Sequence, residues 1–287
     1  MTVGTERTAD HGLFGPESVT WRVHLEPVMW VAGMRALLLQ SLHPWVMRGT
    51  YQNSALFDPA KAWPRFQRTV EFVGTRTFGS LAEVEVAGAR VRRLHHMLRG
   101  VDPESGRRFP IDAPEGLLWV HCGEIDSYVD VARRAGIVDA AEADAYVAES
   151  VRAAEVVGLD PAVVPASRAE LAAYLARMRP RLRVTDEARI AVGGLLAPPV
   201  PPGEAPAWTR AAISATATAA LATLPRWARR MYGLPGLPTT DLAASALLVG
   251  LRRATDLLPD PPAPPEVREA RRLVREARAA RGVRGAV

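Results

Sequence analysis

Lysine and cysteine are almost missing from this chain of 287 residues. Lys61 is the only lysine and Cys122 the only cysteine, so nearly all of the positive charge comes from arginine. A single cysteine excludes a disulfide within the chain and any zinc or iron–sulfur site built from several thiolates. It also fits a reducing compartment, and we expect a cytoplasmic protein.

Long apolar runs and alternating runs are also absent. The longest apolar stretches, at 34–42 and 243–251, fall short of the roughly 18 residues that a membrane span requires, so we expect no transmembrane segment. The N-terminal residues are polar and lack the apolar centre of a signal peptide. No run of convincing length alternates apolar and polar residues, and we therefore expect no sheet.

Aromatic residues make up only 6% of the chain, whereas hydrophobic residues make up 48% and charged residues 23%. Alanine, leucine, arginine and glutamate are abundant, and these residues lose little side-chain entropy in a helix. The net charge is +5, but the arginines are interspersed with acidic residues and no basic-plus-aromatic motif occurs. The composition thus predicts an all-α globular protein that does not bind nucleic acid.

Proline and glycine divide the chain into four segments. Residues 1–18 are expected to form a flexible N-terminal arm, and residues 19–194 a helical core. Residues 195–258 begin with a proline-rich turn region and would supply helices that complete the same domain. Residues 259–287 hold a proline-rich linker and an arginine-rich terminal helix. We therefore predict a single multi-helix domain with a proline-rich C-terminal helical extension.

Local signals predict where several helices begin and end. Pro44 is expected to end the first helical stretch, and residues 49–57 to form a polar loop. Asp58 followed by proline predicts the start of a helix. Ser80, with a glutamate three residues later, predicts a capping box for a helix that runs to Arg99.

The segment VRRLHHMLRG contains the first candidate site. Arg92, His95 and Arg99 stand at positions i, i+3 and i+7, so they would share one helix face. Haem iron accepts a neutral imidazole, and arginines pair with the haem carboxylates, so this face suits a haem. A solvated basic helix face has the same spacing, and spacing alone favours that simpler interpretation.

The segment RFQRT contains a second candidate site. Arg65, Arg68 and Thr69 stand at i, i+3 and i+4 and would also share one face. A guanidinium and a hydroxyl side by side can stabilise and orient a bound oxygen species by hydrogen bonding. The alternative is a surface arginine pair beside a threonine that bonds back to its own helix.

A third candidate lies in WVHCGEIDSY. His121 and Glu124 stand at i and i+3, the arrangement of a metal-ligating pair on a helix. A carboxylate di-iron site would need two such motifs and two further carboxylates, and only one motif is visible. No Walker loop, no GxGxxG after a strand, no GxSxG and no HExxH occurs.

Five segments, taken in order, resemble the family of latex clearing proteins and MpaB-like oxygenases. They are RALLLQSLHPW, RFQRTVEFVGTRTFG, VRRLHHMLRG, LLWVHCGEIDSYV and EADAYVAES, and the similarity covers residues 19–180. Each segment is weak evidence by itself, but five in the same order are specific. The resemblance implies an all-helical fold that encloses one haem b and an oxygenase that consumes dioxygen.

The resemblance also implies an iron ligand. In the latex clearing branch the axial histidine lies in an Arg-x-x-His-x-x-x-Arg pattern, which falls here on Arg92, His95 and Arg99. His95 would therefore ligate the iron, rather than His96, which points about 100° round the helix. The two arginines would bind the carboxylates of the haem.

On the other haem face the same branch has an Arg-x-x-Lys-Thr cluster, which here reads Arg65, Arg68 and Thr69. Arginine stays protonated and cannot ligate iron as lysine can, so we expect a five-coordinate or water-bound iron. The preceding stretch RGTYQNS lacks the branch's catalytic glutamate, so cleavage of polyisoprene is not expected. His43 and His121 lie in family-like segments and would pack the haem pocket or hydrogen-bond the haem carboxylates.

Together these observations predict a haem b-dependent oxygenase that acts on a small, fairly apolar organic substrate held in an apolar cavity. Three other interpretations stay open. The chain could be a haem-binding carrier or sensor without turnover, a di-iron or other carboxylate-metal enzyme, or a helical scaffold that binds protein or nucleic acid. A homo-oligomer is compatible with each of them.

Overall fold

Helices dominate the architecture of this chain. The computed structural model describes residues 10–58, 60–198, 200, 206, 208–257 and 263–284, which contain thirteen α-helices and one two-stranded hairpin. The all-α prediction is confirmed. No helix in this part of the chain is long and apolar enough to cross a membrane. In chain order the elements are α1 (Val19–His24), α2 (Met29–Gln40), α3 (Pro44–Asn53), α4 (Ala62–Phe78), α5 (Leu81–Met97), β1 (Arg99–Val101), β2 (Arg108–Pro110), α6 (Pro114–Arg134), α7 (Ala140–Val156), α8 (Arg168–Met178), α9 (Asp186–Leu196), α10 (Thr209–Thr223), α11 (Arg226–Met231), α12 (Pro238–Asp256) and α13 (Pro265–Arg284).

The core forms around the contact between α2 and α6. α2 is apolar on most of its surface (MWVAGMRALLLQ) and packs against both α6 and α10. Leu39, Leu42 and Trp119 are fully buried there. α7 also packs on α6 and adds Tyr146 and Val147 to the same core. Burying a large apolar side chain of this kind stabilises a fold by about 1.5–3 kcal/mol.

The start of α5 follows its local signal in the sequence. The hydroxyl of Ser80 accepts a hydrogen bond from the backbone N–H of Glu83, and the Glu83 carboxylate accepts one from the backbone N–H of Ser80 at 2.8 Å. These two bonds satisfy backbone donors that a helix start otherwise leaves unbonded. The predicted capping box is confirmed.

The segment after Pro44 departs from the prediction, because Pro44 begins α3 instead of ending a helix. Its ring presets φ for a first helical turn, and it lacks the N–H that this turn would leave unbonded. The imidazole of His43 caps the helix by accepting from the backbone N–H of Val46. α3 continues to Asn53, so the prediction of a polar loop over 49–57 is wrong.

α4 begins later than the sequence predicts. Pro59 lies outside the described residues, and Asp58 forms a turn in which its carboxylate accepts from the backbone N–H of Ala60 at 3.0 Å. The same carboxylate pairs with Lys61 at 3.1 Å. The helix itself starts at Ala62, so the predicted start at Asp58 is wrong.

α5 ends at Met97 and not at Arg99. Leu98 is extended, with φ −91° and ψ 146°, and the next residues pair as the antiparallel hairpin of β1 and β2. Gly100 lies opposite Phe109, and the aromatic ring is so close that a methyl group on Gly100 would lie 2.3 Å from it. Packing of this ring on a glycine favours the hairpin over a further helical turn. The predictions of no sheet and of a helical Arg99 are therefore wrong.

Both ends of the described chain pack on the helical body. The Asp10 carboxylate accepts from the first backbone N–H of α5 at 3.0 Å. Ala270 and Val274 of α13 form a small apolar cluster with the buried Trp21. Parts of the predicted segments lie outside the described residues, namely 1–9 of the arm, 199, 201–205 and 207 of the turn region, and 258–262 and 285–287 of the C-terminal segment.

Candidate functional site

His95 lies in the last turn of α5, which packs against α4 in a helical hairpin. Its imidazole is half-buried, and Nδ1 is buried with no hydrogen-bond partner in the described residues. Leaving a buried polar atom unbonded costs about 1–3 kcal/mol, so this ring is a candidate for contact with a bound group. The neighbouring His96 differs, because its side chain is 78% exposed and lies 2.9 Å from the Asp112 carboxylate.

The electrostatic surroundings keep the His95 imidazole neutral. Burial lowers its pKa, the carboxylate of Asp112 raises it, and the positive charge of Arg65 lowers it. The net effect is a pKa below the ordinary value, so the ring is neutral at pH 7, the form that ligates a transition metal. These interactions also show that α4 and the segment after β2 both approach His95.

Arg65 and Thr69 form the part of α4 beside this histidine. Nη1 of Arg65 donates to the hydroxyl of Thr69 at 2.5 Å, and that hydroxyl also lies 3.3 Å from the backbone carbonyl of Arg65. Burial and the nearby Arg68 lower the pKa of Arg65, but a guanidinium remains charged at neutral pH. The structure thus brings Arg65, Thr69 and His95 together, whereas Arg68 is exposed.

Trp63 lies at the same end of α4 and was not identified from the sequence. Its indole Nε1 is buried without an acceptor in the described residues. Its ring packs against Phe66, with 6.0 Å between ring centroids. A tryptophan near an arginine is common in sequences and gives no functional signal. Only the structure, which buries the indole N–H without an acceptor in the described residues, makes Trp63 a candidate site residue.

Of the two arginines predicted to flank His95, Arg92 lies on α5 and Arg99 lies beyond it. Arg92 donates to the backbone carbonyl of Val156 at 2.8 Å and pairs with Glu85 at 2.7 Å, which directs it toward the end of α7. Arg99 belongs to β1, and its Nη1 donates to backbone carbonyls of its own turn at 2.6 and 2.8 Å. The predicted common face fails because α5 ends before Arg99.

His43 occupies a different part of the fold. Besides capping α3, its Nε2 lies 3.4 Å from the Glu115 carboxylate, and its ring packs 6.2 Å from Trp119. Burial is the largest effect on its pKa and lowers it. These contacts join α3 to the start of α6.

His121 and Glu124 lie in a buried polar cluster between α1, α4, α6 and α7. Both Nη atoms of Arg76 donate to the Glu124 carboxylate. Burial alone would raise the pKa of Glu124, but Arg76 lowers it below its ordinary value, so the carboxylate is charged. His24 completes the cluster, with its Nε2 3.0 Å from the hydroxyl of Tyr146.

The two histidines of this cluster are neutral. Burial is the largest effect, and together with the positive charge of Arg76 and against the opposing charge of Glu124 it lowers the pKa of His24 to about 3 and that of His121 to about 4. The carboxylate of Glu124 is therefore neutralised by one arginine. The described residues contain no group of three or more His, Cys, Asp or Glu side chains placed to share one metal ion, so the carboxylate-metal interpretation finds no donor set there.

Comparison with known proteins bears directly on these alternatives. A model of the family described as "ER-bound oxygenase mpaB/B'/Rubber oxygenase, catalytic domain" matches residues 21–258. The chain belongs to this family. The resemblance seen in the five sequence segments is thereby confirmed, and the chain contains an oxygenase catalytic domain. No curated protein and no solved structure matches the chain significantly.

The mpaB/rubber oxygenase match includes every element from α2 to α12. It therefore covers the hairpin of α4 and α5 that holds Arg65, Thr69 and His95, and also the buried cluster around Glu124. α13 lies beyond the matched residues. Membership in an oxygenase family implies an enzyme that uses oxygen and a small-molecule substrate.

Proposed function

We propose that this chain is a haem b-dependent oxygenase in which His95 is the axial iron ligand. The observation that carries the proposal is the half-buried, neutral imidazole of His95, with an unbonded ring nitrogen, beside Arg65 and Thr69. A neutral imidazole is the donor that haem iron accepts. When bound, haem would supply the iron centre at which dioxygen is activated.

Arg65 would act as a hydrogen-bond donor at the oxygen-binding side, and Thr69 would hold it in position by accepting from its Nη1. Their mutual bond at 2.5 Å restrains the long Arg65 side chain, so less entropy is lost when it binds an oxygen atom. Arg68, one turn further along, adds positive charge that favours a developing negative charge on oxygen. None of these side chains can accept a proton at neutral pH, so the proposal gives them a stabilising role.

The predicted contacts to the haem carboxylates divide into two groups. In the described part of the chain, the Arg99 guanidinium donates to the backbone carbonyls of His96 and Leu98 through Nη1, which leaves its remaining N–H groups for a carboxylate. Arg92, His43 and His121 lie in other parts of the fold. We propose that they hold the helices around the pocket in position and do not contact the haem carboxylates.

The substrate that we propose is a small and fairly apolar organic molecule. The exposed Leu94 and Met97 flank His95 along α5, and Phe66 lies on α4 near Arg65. Such side chains favour an apolar ligand through the area that they remove from water.

The test is the visible absorption spectrum of the full chain expressed with a supply of haem. His95→Ala is expected to lose or shift the Soret band, and added imidazole is expected to restore it, because imidazole can occupy the space of the missing ring. His96→Ala is the matched control, since this neighbour is exposed and should leave the band unchanged. A colourless wild-type protein, or a band that is indifferent to His95→Ala, would refute the proposal.

Oxygenase turnover needs a second measurement. Oxygen consumption should appear with a suitable apolar substrate and fall in Arg65→Gln while the Soret band persists. A haem-containing protein without oxygen consumption on any substrate of this class would instead favour a carrier or sensor.

A further inference from the structure

The outer face of the β1–β2 hairpin presents two arginines side by side. Side chains alternate in both strands, so Gly100 and Phe109 point inward while their neighbours are exposed. Val101 lies opposite Arg108, and Arg99 lies opposite Pro110. Arg99 and Arg108 are therefore diagonal neighbours on the exposed face, within reach of a single ligand.

Neither arginine is neutralised by an acidic side chain in the described residues. Nη1 of Arg99 donates to the backbone carbonyls of His96 and Leu98, and among the described residues the Arg108 side chain has no hydrogen bond or ion pair. The hairpin turn does contain Asp102 and Glu104, but Arg48 pairs with both of them. Two adjacent like charges without a counter-ion favour an anionic ligand.

These arginines also border open space on the hairpin that follows the last turn of α5. A cleft of about 310 Å³ is lined by Arg99, Arg108, Phe109 and Pro110. Arg99 follows His95 by four residues. Just after β2, the Asp112 carboxylate lies 2.9 Å from Nδ1 of His96, the residue that follows His95. Both ends of the hairpin therefore lie at the end of α5, the helix whose last turn carries His95.

We propose that Arg108 and Arg99 together bind the two carboxylates of the haem held by His95. This inference rests on the proposed function and adds Arg108, which no spacing argument in the sequence had selected. A guanidinium binds a carboxylate through two parallel hydrogen bonds, and Arg99 is already oriented by its bonds to the backbone. Phe109 and Pro110 supply an apolar wall that suits the edge of a porphyrin.

The test compares haemin with its dimethyl ester, in which both carboxylates are blocked. Each is titrated by Soret absorbance into the full chain prepared without haem, at low ionic strength. Arg108→Gln should weaken haemin binding about fivefold, and Arg99→Gln/Arg108→Gln roughly twentyfold, because an exposed ion pair contributes up to about 1 kcal/mol. The affinity for the dimethyl ester should be the same in all variants, and salt should reduce the difference for haemin.

Arg93→Gln is the matched control, since Arg93 is an exposed arginine on α5 close to His95 in sequence, and it should bind haemin like the wild type. Equal haemin affinity in the wild type and the double variant would overturn the inference while leaving the proposed function intact. An equal loss for haemin and for the ester would overturn it too, because it would show a structural effect. A wild-type chain that binds neither compound would overturn the proposed function and this inference together.

Discussion

Replacing Glu124 with leucine would leave the guanidinium of Arg76 buried without a hydrogen-bond acceptor. Both Nη atoms of Arg76 donate to the Glu124 carboxylate, and Arg76 is only 6% exposed. Its Nε is buried with no other partner in the described residues. The substitution therefore removes every acceptor that the structure provides for this side chain.

Breaking a buried ion pair by removing one partner costs about 3–5 kcal/mol, because the remaining charge stays in a medium that solvates it poorly. We expect Glu124→Leu to lower the free energy of unfolding by this amount. The corresponding fall in the melting temperature is about 6–20 °C for a chain of this size. The double variant Arg76→Met/Glu124→Leu removes both charges and should lose roughly 1–2 kcal/mol at most.

Urea unfolding followed by circular dichroism measures these free energies. The wild type, Arg76→Met, Glu124→Leu and the double variant form a double-mutant cycle. Glu85→Gln is a suitable control, because it breaks the exposed pair of Glu85 with Arg92 at 2.7 Å and should cost less than about 1 kcal/mol. A loss below about 1 kcal/mol for Glu124→Leu, or a double variant as unstable as the sum of the single ones, would refute the reasoning.

Acid should destabilise the fold, because His24 and His121 have pKa values of about 3 and about 4 when folded against an ordinary value of 6.5. The unfolded chain then binds more protons below pH 6.5. The free energy of unfolding in urea should therefore fall by on the order of 5 kcal/mol between pH 7 and pH 4.5, and no change would contradict this reasoning. Gly250→Ala should stabilise by about 1 kcal/mol in thermal unfolding, because a methyl group there meets open space within α12. Gly100→Val should instead destabilise by about 1–3 kcal/mol, because the Phe109 ring occupies the space of its side chain, and a neutral result would exclude that packing.

The features that were predicted correctly depend on residues close together in the chain. The capping box of Ser80 and Glu83 joins residues three apart, so its signal survives in the sequence. The helical class follows from composition, and family membership follows from five short segments in a fixed order. The pairing of Arg65 with Thr69 along one helix face was likewise visible, since positions i and i+4 always meet on a helix.

The errors concern places where distant residues override a local signal. Spacing placed Arg99 on the helix of His95, but Phe109 packs on Gly100 and turns the chain into a hairpin. Spacing also made His121 and Glu124 resemble a metal-binding pair. Arg76, which lies on another helix, pairs with that carboxylate instead.

By itself, the sequence determined the helical class, the oxygenase family and the helix that carries His95, because composition, caps and motif order are local properties of a chain. Only the tertiary structure decided which polar groups are buried and with which partner. It left Nδ1 of His95 unbonded while placing His96 in solvent beside Asp112, although the two histidines are adjacent in the chain. Burial and charge pairing depend on the helices that surround a residue, and those neighbours come from distant parts of the chain.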